Sequence, residues 1–195
     1  MNKPQQFLRM RRSIRRFKRD PVPASVVDTI LRTATFAPSA HNLQPWRFVK
    51  ISSDLAKVEL GHALLSKLRA DMKAKNTPQV EIEKRVKISL RRIEEAPIII
   101  LLCRDQTILR EDTSEEKIMA VQSTAVAGLQ LLLAAQAEGL SGNWVCWVLY
   151  AQDKIIDALK LPKSWLPEAM FFLGYANGKP KKANRHPSAE LTITR

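Results

Sequence analysis

Cysteine is scarce in this chain. Only Cys103 and Cys146 occur among the 195 residues, and both lie inside apolar runs. Their spacing is not that of a metal site, so we expect no bound metal and two core cysteines in a reducing compartment. The first ten residues also lack the continuous apolar stretch of a signal peptide. This predicts a cytoplasmic protein.

Acidic residues are few as well. The chain has 19 of them against 32 lysines and arginines, which gives a formal net charge of +13 and an isoelectric point near 10.1. Such a surplus implies attraction to something anionic: a phosphorylated cofactor, an acidic substrate, nucleic acid or a membrane surface. Nucleic acid is disfavoured as a partner because glycine-rich loops, interleaved aromatics and a recognition helix are missing.

No internal repeat, low-complexity tract or shift in composition divides the chain. Hydrophobic residues make up 45% of it and charged residues 26%, which is ordinary for a globular protein. Residues 1–195 are therefore predicted to form a single domain, near the upper end of ordinary domain size.

The apolar periodicity predicts alternating helices and strands. Strands are expected at residues 46–51, 98–103, 143–149 and 168–175, and residues 191–194 alternate like an edge strand. Helices are expected from Pro4 onward and at residues 26–34, 54–68, 78–93, 118–137 and 153–161. Together they predict an α+β fold, with helices flanking a mixed or antiparallel sheet of four or five strands.

Two of these helices have distinctive surroundings. The first would turn Phe7, Leu8 and Met10 inward and run on into residues 11–19. The helix of residues 118–137 is apolar on nearly every side, which predicts a central helix with its sheet on one side and a partner subunit on the other. Polar residues interrupt it, which argues against a membrane span. Thr113 and Glu116 could cap its start.

The most unusual loop is residues 37–46, with the sequence APSAHNLQPW. Its two prolines, its small residues and Asn42 forbid a regular helix and favour an ordered turn. Such a loop brings amides, a hydroxyl, an imidazole and an indole into one small volume, a combination suited to gripping a flat ring with polar edges. An ordinary connection from a helix to a strand would use similar residues.

Two basic clusters lie at opposite ends of the chain, at residues 11–19 and 179–185. Arginine binds phosphate through two parallel hydrogen bonds and stays charged at any working pH. The hydroxyl of Ser13 could reach a phosphate oxygen as well. Folding the two ends together would create a split anion site. The cations on the helices between residues 54 and 93 are interpreted as ordinary solvated surface charge.

Several blocks of the chain resemble the nitroreductase family of FMN-dependent oxidoreductases. The first two are residues 11–17 (RRSIRRF) and 37–48 (APSAHNLQPWRF), and the later ones are residues 138–144 (EGLSGNW) and 174–187. The resemblance covers nearly the whole chain in the right order. At a finer level, the chain is similar to the nitroreductase-like domain attached to deazaflavin-cofactor glutamyl ligases.

The resemblance implies a nitroreductase-like fold and an intertwined homodimer, with FMN at the interface between the subunits. One subunit would contribute its N-terminal basic cluster, its closing basic residues and backbone near the ring's central edge: Arg11, Arg12, Ser13, Arg15, Gly142, Asn143, Lys182 and Arg185. Of these, Arg15 would lie at the flavin's pyrimidine edge. The other subunit would cover the ring with loop residues Pro38, Ser39, Ala40, Asn42 and Gln44.

His41 departs from the small or hydroxyl residue that many relatives carry at this point. It is either part of the substrate pocket or a loop histidine satisfied by its neighbours. No side chain is expected to act as a catalytic acid or base, because the flavin itself would perform the chemistry.

The resemblance also implies an activity. NAD(P)H would reduce FMN by hydride transfer to N5, leave, and be replaced by a small-molecule acceptor such as a nitroaromatic, a quinone or an enone. Two other interpretations stay open. One is a flavin- or deazaflavin-binding module that does not turn over NAD(P)H, and the other is a basic nucleic-acid-binding protein.

Overall fold

A four-stranded antiparallel sheet lies at the centre of the fold, in a computed structural model that describes residues 2–180 and 182–195. The strands are β1 (Trp46–Ile51), β2 (Ile98–Asp105), β3 (Ser141–Val145) and β4 (Trp165–Gly174), in the spatial order β1-β2-β4-β3. The helices are α1 (Lys3–Met10), α2 (Ala24–Ala34), α3 (Asp54–Ala74), α4 (Gln79–Glu95), α5 (Ser114–Ala137) and α6 (Gln152–Ala158). The predicted α+β fold is confirmed, with an antiparallel sheet.

Strand β2 is buried on both faces, as its continuous apolar run predicts. On one face, Ile100 and Leu102 pack in a cluster with residues of α2 and α5. On the other face, Ile99 and Leu101 pack in a cluster with residues of α3 and α6. The sheet is therefore a middle layer between two layers of helices.

Helix α5 is the central helix that its composition predicts. Its length and apolar composition alone would suit a membrane span, yet half of its most apolar 18-residue window is buried inside the fold. The hydroxyl of Thr113 accepts a hydrogen bond from the Glu116 amide at 3.3 Å, as expected for the helix cap. A second side of the helix stays exposed in this chain, where Ile118 and Leu129 are about half accessible to solvent.

The first helix ends earlier than its sequence predicts. Helix α1 stops at Met10, and the following segment is extended and crosses one end of the sheet. The Ile14 amide donates to the Gly142 carbonyl at 3.0 Å, and the Lys18 amide donates to the Tyr175 carbonyl at 2.9 Å. These distant partners outweigh the local helical tendency, so the predicted continuation through residues 11–19 is wrong.

The apolar side of α1 also differs from its prediction. Leu8 and Met10 are 55% and 71% exposed, and α1 has no buried residue in this chain. The helix is held near α5 by a hydrogen bond from the Gln136 amide side chain to the Phe7 carbonyl, at 2.6 Å. The side chains of Leu8 and Met10 therefore point away from this chain's core.

Two strand predictions need correction. Strand β3 covers residues 141–145 instead of 143–149, because residues 147–150 turn into a short 3-10 helix. Residues 191–194 do not form a strand in this chain: the described tail makes a 3-10 turn at residues 188–191 and is exposed beyond it.

The two cysteines have different environments. Cys103 on β2 is fully buried, and burial together with the nearby Glu168 carboxylate raises the pKa of its thiol to about 12. Cys146, directly after β3, is exposed, so its prediction as a core residue is wrong. The apolar run around Cys146 belongs partly to the turn that leaves the sheet.

Gly128 lies where α5 packs closely on the sheet. A Cβ atom there would lie 2.8 Å from Phe171 Cζ and 2.9 Å from Trp144 Cη2. Gly61 in α3 is a matched control, because its nearest contact would be Leu90 Cδ1 at an ordinary 3.7 Å.

We expect Gly128→Ala to lower the free energy of unfolding by about 1–3 kcal/mol through overpacking. Gly61→Ala should raise it by about 0.5–1 kcal/mol, because alanine favours the helix. Urea unfolding of both variants measures the difference. Equal effects of the two substitutions would contradict this account of the contact between α5 and the sheet.

Candidate functional site

A cleft of about 830 Å³ lies at the end of the sheet that residues 11–16 cross. The N-terminal segment forms one wall, and residues 177–180, 182, 183 and 185 of the tail form another. The third wall is one face of α4, made by Ile88, Arg91, Arg92 and Glu95 at helical spacing. The structure thus brings the two basic clusters from opposite ends of the chain into one concave surface.

The cleft is strongly cationic. Among the described residues that line it, nine are arginine or lysine and one is acidic, Glu95; the cations are Arg11, Arg12, Arg15, Arg16, Arg91, Arg92, Lys179, Lys182 and Arg185. Residues 1–19 hold eight cations and no carboxylate, and residues 177–195 hold five cations and one carboxylate. These two segments therefore carry +12 of the +13 net charge. The described cleft lining, with nine cations and one carboxylate, accounts for a surplus of eight positive charges.

Arg92 is the cleft cation with the most perturbed environment. Its guanidinium lies 5.8 Å from the centroid of the Trp147 ring. Burial lowers the pKa of Arg92, and the nearby charges of Arg15, Arg85 and Arg91 lower it further. A bound anion would relieve this repulsion.

The α4 wall does not follow from the sequence pattern. Arg91 and Arg92 line the cleft and are not ordinary solvated surface charge, so this prediction is wrong for them. Helical spacing places four residues on one face of α4: Ile88, Arg91, Arg92 and Glu95. The spacing does not indicate whether that face lies in solvent or lines a cleft.

The N-terminal wall owes its arrangement to extended backbone. Ser13 forms a parallel bridge with Gly142, and Ile14 is buried beneath the segment. Side chains alternate along an extended chain, so Ser13 and Arg15 lie on the side opposite Ile14. Both are exposed and line the cleft. One hydroxyl and one guanidinium are thereby directed to the same space.

The loop of residues 37–46 is a fixed turn, as its composition predicts. His41, Asn42 and Gln44 all have left-handed backbone, with φ of 51°, 55° and 51°. The Gln44 amide donates to the Ser39 hydroxyl at 3.1 Å, and the Gln44 side chain donates to the Asn42 side chain at 3.2 Å. The Ala40 amide donates to the Ser123 hydroxyl on α5, at 3.1 Å. These bonds maintain a backbone that non-glycine residues rarely adopt.

The loop and the cleft lie at opposite ends of the sheet. The loop leads into Trp46, which pairs with Arg104 at one end of β2. The cleft adjoins Gly142, which pairs with Leu173 at the other end. The residues predicted to cover a bound ring are absent from the described cleft lining: Pro38, Ser39, Ala40, Asn42 and Gln44. One chain alone does not bring the two predicted halves of the site together.

Comparison with known proteins identifies the family. The model of the nitroreductase family matches residues 8–175, which is most of the chain. The chain belongs to the nitroreductase family. Among similar proteins, "Putative NAD(P)H nitroreductase YfhC" of Bacillus subtilis is 29% identical over 183 residues, covering 93% of this chain and 88% of that protein. A 5,6-dimethylbenzimidazole synthase of Rhodospirillum rubrum is also 29% identical, covering 93% and 82%.

Solved structures share the fold of this nitroreductase-family chain. An FMN-dependent nitroreductase from Clostridium difficile superimposes with a TM-score of 0.66 and 26% identity, covering 91% of this chain and 90% of the other.

Gly142 and Asn143 lie on β3, beside the N-terminal wall of the cleft, and their contact with a flavin ring stays a prediction. Both are buried, and neither is among the described residues that line the cleft. The Gly142 carbonyl accepts the Ile14 amide, and a Cβ at Gly142 would lie 2.5 Å from Leu132 Cδ2. Gly142 is therefore required for close packing. Trp147, just beyond β3, is the residue from this region that approaches the cleft, through Arg92.

His41 lies on the loop, above the start of α5. Beneath the loop, the buried Glu116 carboxylate accepts two hydrogen bonds from Arg110, at 3.1 and 2.8 Å. The hydrogen bond from Arg110 lowers the pKa of Glu116, and the charge of His41 contributes a smaller decrease. The sequence pattern does not predict the pairing of Arg110 with Glu116. Within residues 2–180 and 182–195, no group of histidine, cysteine and carboxylate side chains could hold a metal ion.

The repulsion in the cleft gives a prediction for Arg15. We expect Arg15→Ala to raise the free energy of unfolding of the ligand-free protein by roughly 0.2–0.5 kcal/mol at low salt, the scale of one like-charge pair. The gain should vanish at high salt because mobile ions screen the repulsion. Urea unfolding at two ionic strengths measures it.

Arg69→Ala is the control for this experiment. Arg69 lies on α3 and pairs with Glu83 at 3.5 Å, so its removal deletes an attraction. It should leave stability unchanged or slightly lower. A stability gain of the same size in both variants would argue against repulsion centred on the cleft.

Proposed function

We propose that the protein binds FMN in the cationic cleft and works as a flavin-dependent oxidoreductase. The observation that carries this proposal is the meeting of both terminal basic clusters with α4 in one cleft of about 830 Å³. That volume is typical of a cofactor site. Membership of the nitroreductase family and likeness to an FMN-dependent nitroreductase support the assignment.

The cleft residues fit the two ends of FMN. Arg11, Ser13 and Arg185 would bind the phosphate, with Arg12 and Lys182 at the same end. Arg15 would lie at the pyrimidine edge of the ring, and its electrostatic neighbour Arg92 would add a second positive charge there. Two fixed cations at this edge favour the negative charge that the ring gains on reduction.

The proposed activity is a two-step hydride exchange. When bound, FMN would accept a hydride, with its two electrons, from NAD(P)H at N5 and pass it to a nitroaromatic, quinone or enone acceptor. The protein's own residues would supply binding, orientation and charge, and no side chain is required as acid or base. The name of the Bacillus subtilis relative supports NAD(P)H as reductant.

We also propose that the working form is a homodimer. The loop of residues 37–46 lies far from its own chain's cleft, so a second copy would have to cover the ring with Pro38, Ser39, Ala40, Asn42 and Gln44. His41 would then face the substrate pocket. An unpartnered apolar surface on α1 and α5 supports the same arrangement, with Leu8, Met10, Ile118 and Leu129 exposed.

The FMN assignment predicts a yellow purified protein. Fluorescence titration of the FMN-free protein should show tight binding of FMN. Arg15→Ala should weaken that binding about tenfold or more, since a hydrogen bond to a charged group contributes at least that much. Arg69→Ala serves again as control and should bind FMN normally. A colourless protein whose titration shows no binding of added FMN would contradict the proposal.

The same preparation separates two possible activities. A flavin-binding module without NAD(P)H turnover is favoured by the likeness to a 5,6-dimethylbenzimidazole synthase. Consumption of NADH or NADPH by the FMN-loaded protein in the presence of a quinone supports the oxidoreductase. FMN binding without such consumption supports the module.

The dimer can be tested on the exposed side of α5. Leu129 is 46% exposed, so Leu129→Glu should leave the core intact but place a charge in the proposed interface. We expect sedimentation to show a dimer for the wild type and a monomer, with weaker FMN retention, for the variant. Val80→Glu changes an 83% exposed residue on α4 and should remain dimeric. Dimers of unchanged stability in both variants would exclude this surface.

A further inference from the structure

The cleft contains more positive charge than FMN would neutralise. Its described lining holds nine cations and the single carboxylate Glu95, a surplus of eight. The FMN phosphate supplies about two negative charges, and the ring adds about one more on reduction. Roughly five positive charges remain without a counter-charge. Cations gathered in a concave surface raise the local concentration of anions, so the molecule that enters the cleft next to FMN should itself be anionic.

Part of this surplus lies outside the residues assigned to FMN. Arg91 is on α4, next to the pyrimidine-edge Arg92 but not among the FMN ligands. Its side chain is 58% exposed, and its ion pair with Glu95 is long, at 3.8 Å. A guanidinium held this loosely is available to a ligand. Lys179, from the tail wall, faces the same cleft.

An exposed apolar side chain lies beside Arg91. Ile88 is one helical turn earlier on α4, lines the cleft and is 37% accessible. We define the α4 rim as three lining residues: Ile88 and Arg91 on α4, and Lys179 on the tail wall. The rim combines an apolar contact with two cations of the kind that bind phosphate. An adenine ring packs against apolar surface, and arginine binds a phosphate through parallel hydrogen bonds. The rim therefore has the chemistry to recognise a phosphorylated adenosine.

We propose that the α4 rim binds the 2′-phosphate and adenine of the reductant, so that the protein prefers NADPH over NADH. This inference rests on the proposed function, because it concerns the reductant of the FMN-loaded protein. The two nucleotides differ only in the 2′-phosphate, which adds about two negative charges. Arg91 discriminates by pairing with that group, Lys179 adds a second cation from the tail wall, and Ile88 contacts the base.

The test uses equilibrium binding to the FMN-loaded protein. Each preparation is first checked for FMN content and then titrated calorimetrically, at low salt, with 2′,5′-ADP and with 5′-AMP. These probes carry the adenosine with and without the 2′-phosphate. The wild type should bind 2′,5′-ADP about tenfold more tightly or better, because a hydrogen bond to a charged group contributes at least that much. The ratio of kcat/KM for NADPH and NADH should show the same preference.

Three variants localise the effect. Arg91→Ala should remove most of the preference, and Arg91→Lys should keep part of it, since lysine retains the charge without the paired hydrogen bonds. Lys87→Ala is the matched control. Lys87 is exposed on the same helix, is absent from the described cleft lining and carries the same charge. It should preserve the preference.

Failure of this inference is distinguishable from failure of the FMN assignment. Equal affinities for the two probes, or a preference that survives Arg91→Ala, would overturn the NADPH assignment while normal FMN binding leaves the oxidoreductase standing. An equal loss in Lys87→Ala would also overturn it, because only the general charge would then matter. A protein that takes up no FMN overturns both.

Discussion

Backbone hydrogen bonds hold the two most basic segments of this chain side by side. The Ile14 amide bonds to Gly142, the Lys18 amide bonds to Tyr175, and the Asn177 amide bonds to the Arg16 carbonyl. Side-chain attraction cannot do this, because both segments are cationic. These three backbone hydrogen bonds, which we call the frame, hold the segments at the end of the sheet against their electrostatic repulsion. The walls of the cleft, its charge and its position relative to α4 all depend on that frame.

The concentration of positive charge in this cleft is unfavourable without an anionic partner. Among the described residues, no carboxylate lies within ion-pair distance of Arg11, Arg15 or Arg92. Opposite charge on a ligand would supply what the protein lacks, and binding would stabilise the fold through linkage. The repulsion among the cleft cations therefore lowers the stability of the free chain and at the same time favours binding of an anion.

The sequence predicts best those elements whose cause is local. Strand β1 was predicted with its observed bounds, and the turn of residues 37–46 follows from its prolines and Asn42. The course of residues 11–19 was mispredicted, because its hydrogen-bond partners lie far away in the sequence. Arg91 and Arg92 were missed for a related reason. A charged helix face has the same pattern whether it meets solvent or a cleft.

The frame that joins the chain ends also affects how the protein folds. Its hydrogen bonds link residues more than 120 positions apart, so the chain must close long loops before any of them forms. Contacts of such separation are slow to form and depend on the prior assembly of β3 and β4. We expect the helices and central strands to assemble first, with the anion-binding walls among the last parts to join. The protein would then become able to bind an anion in the cleft only at the end of folding.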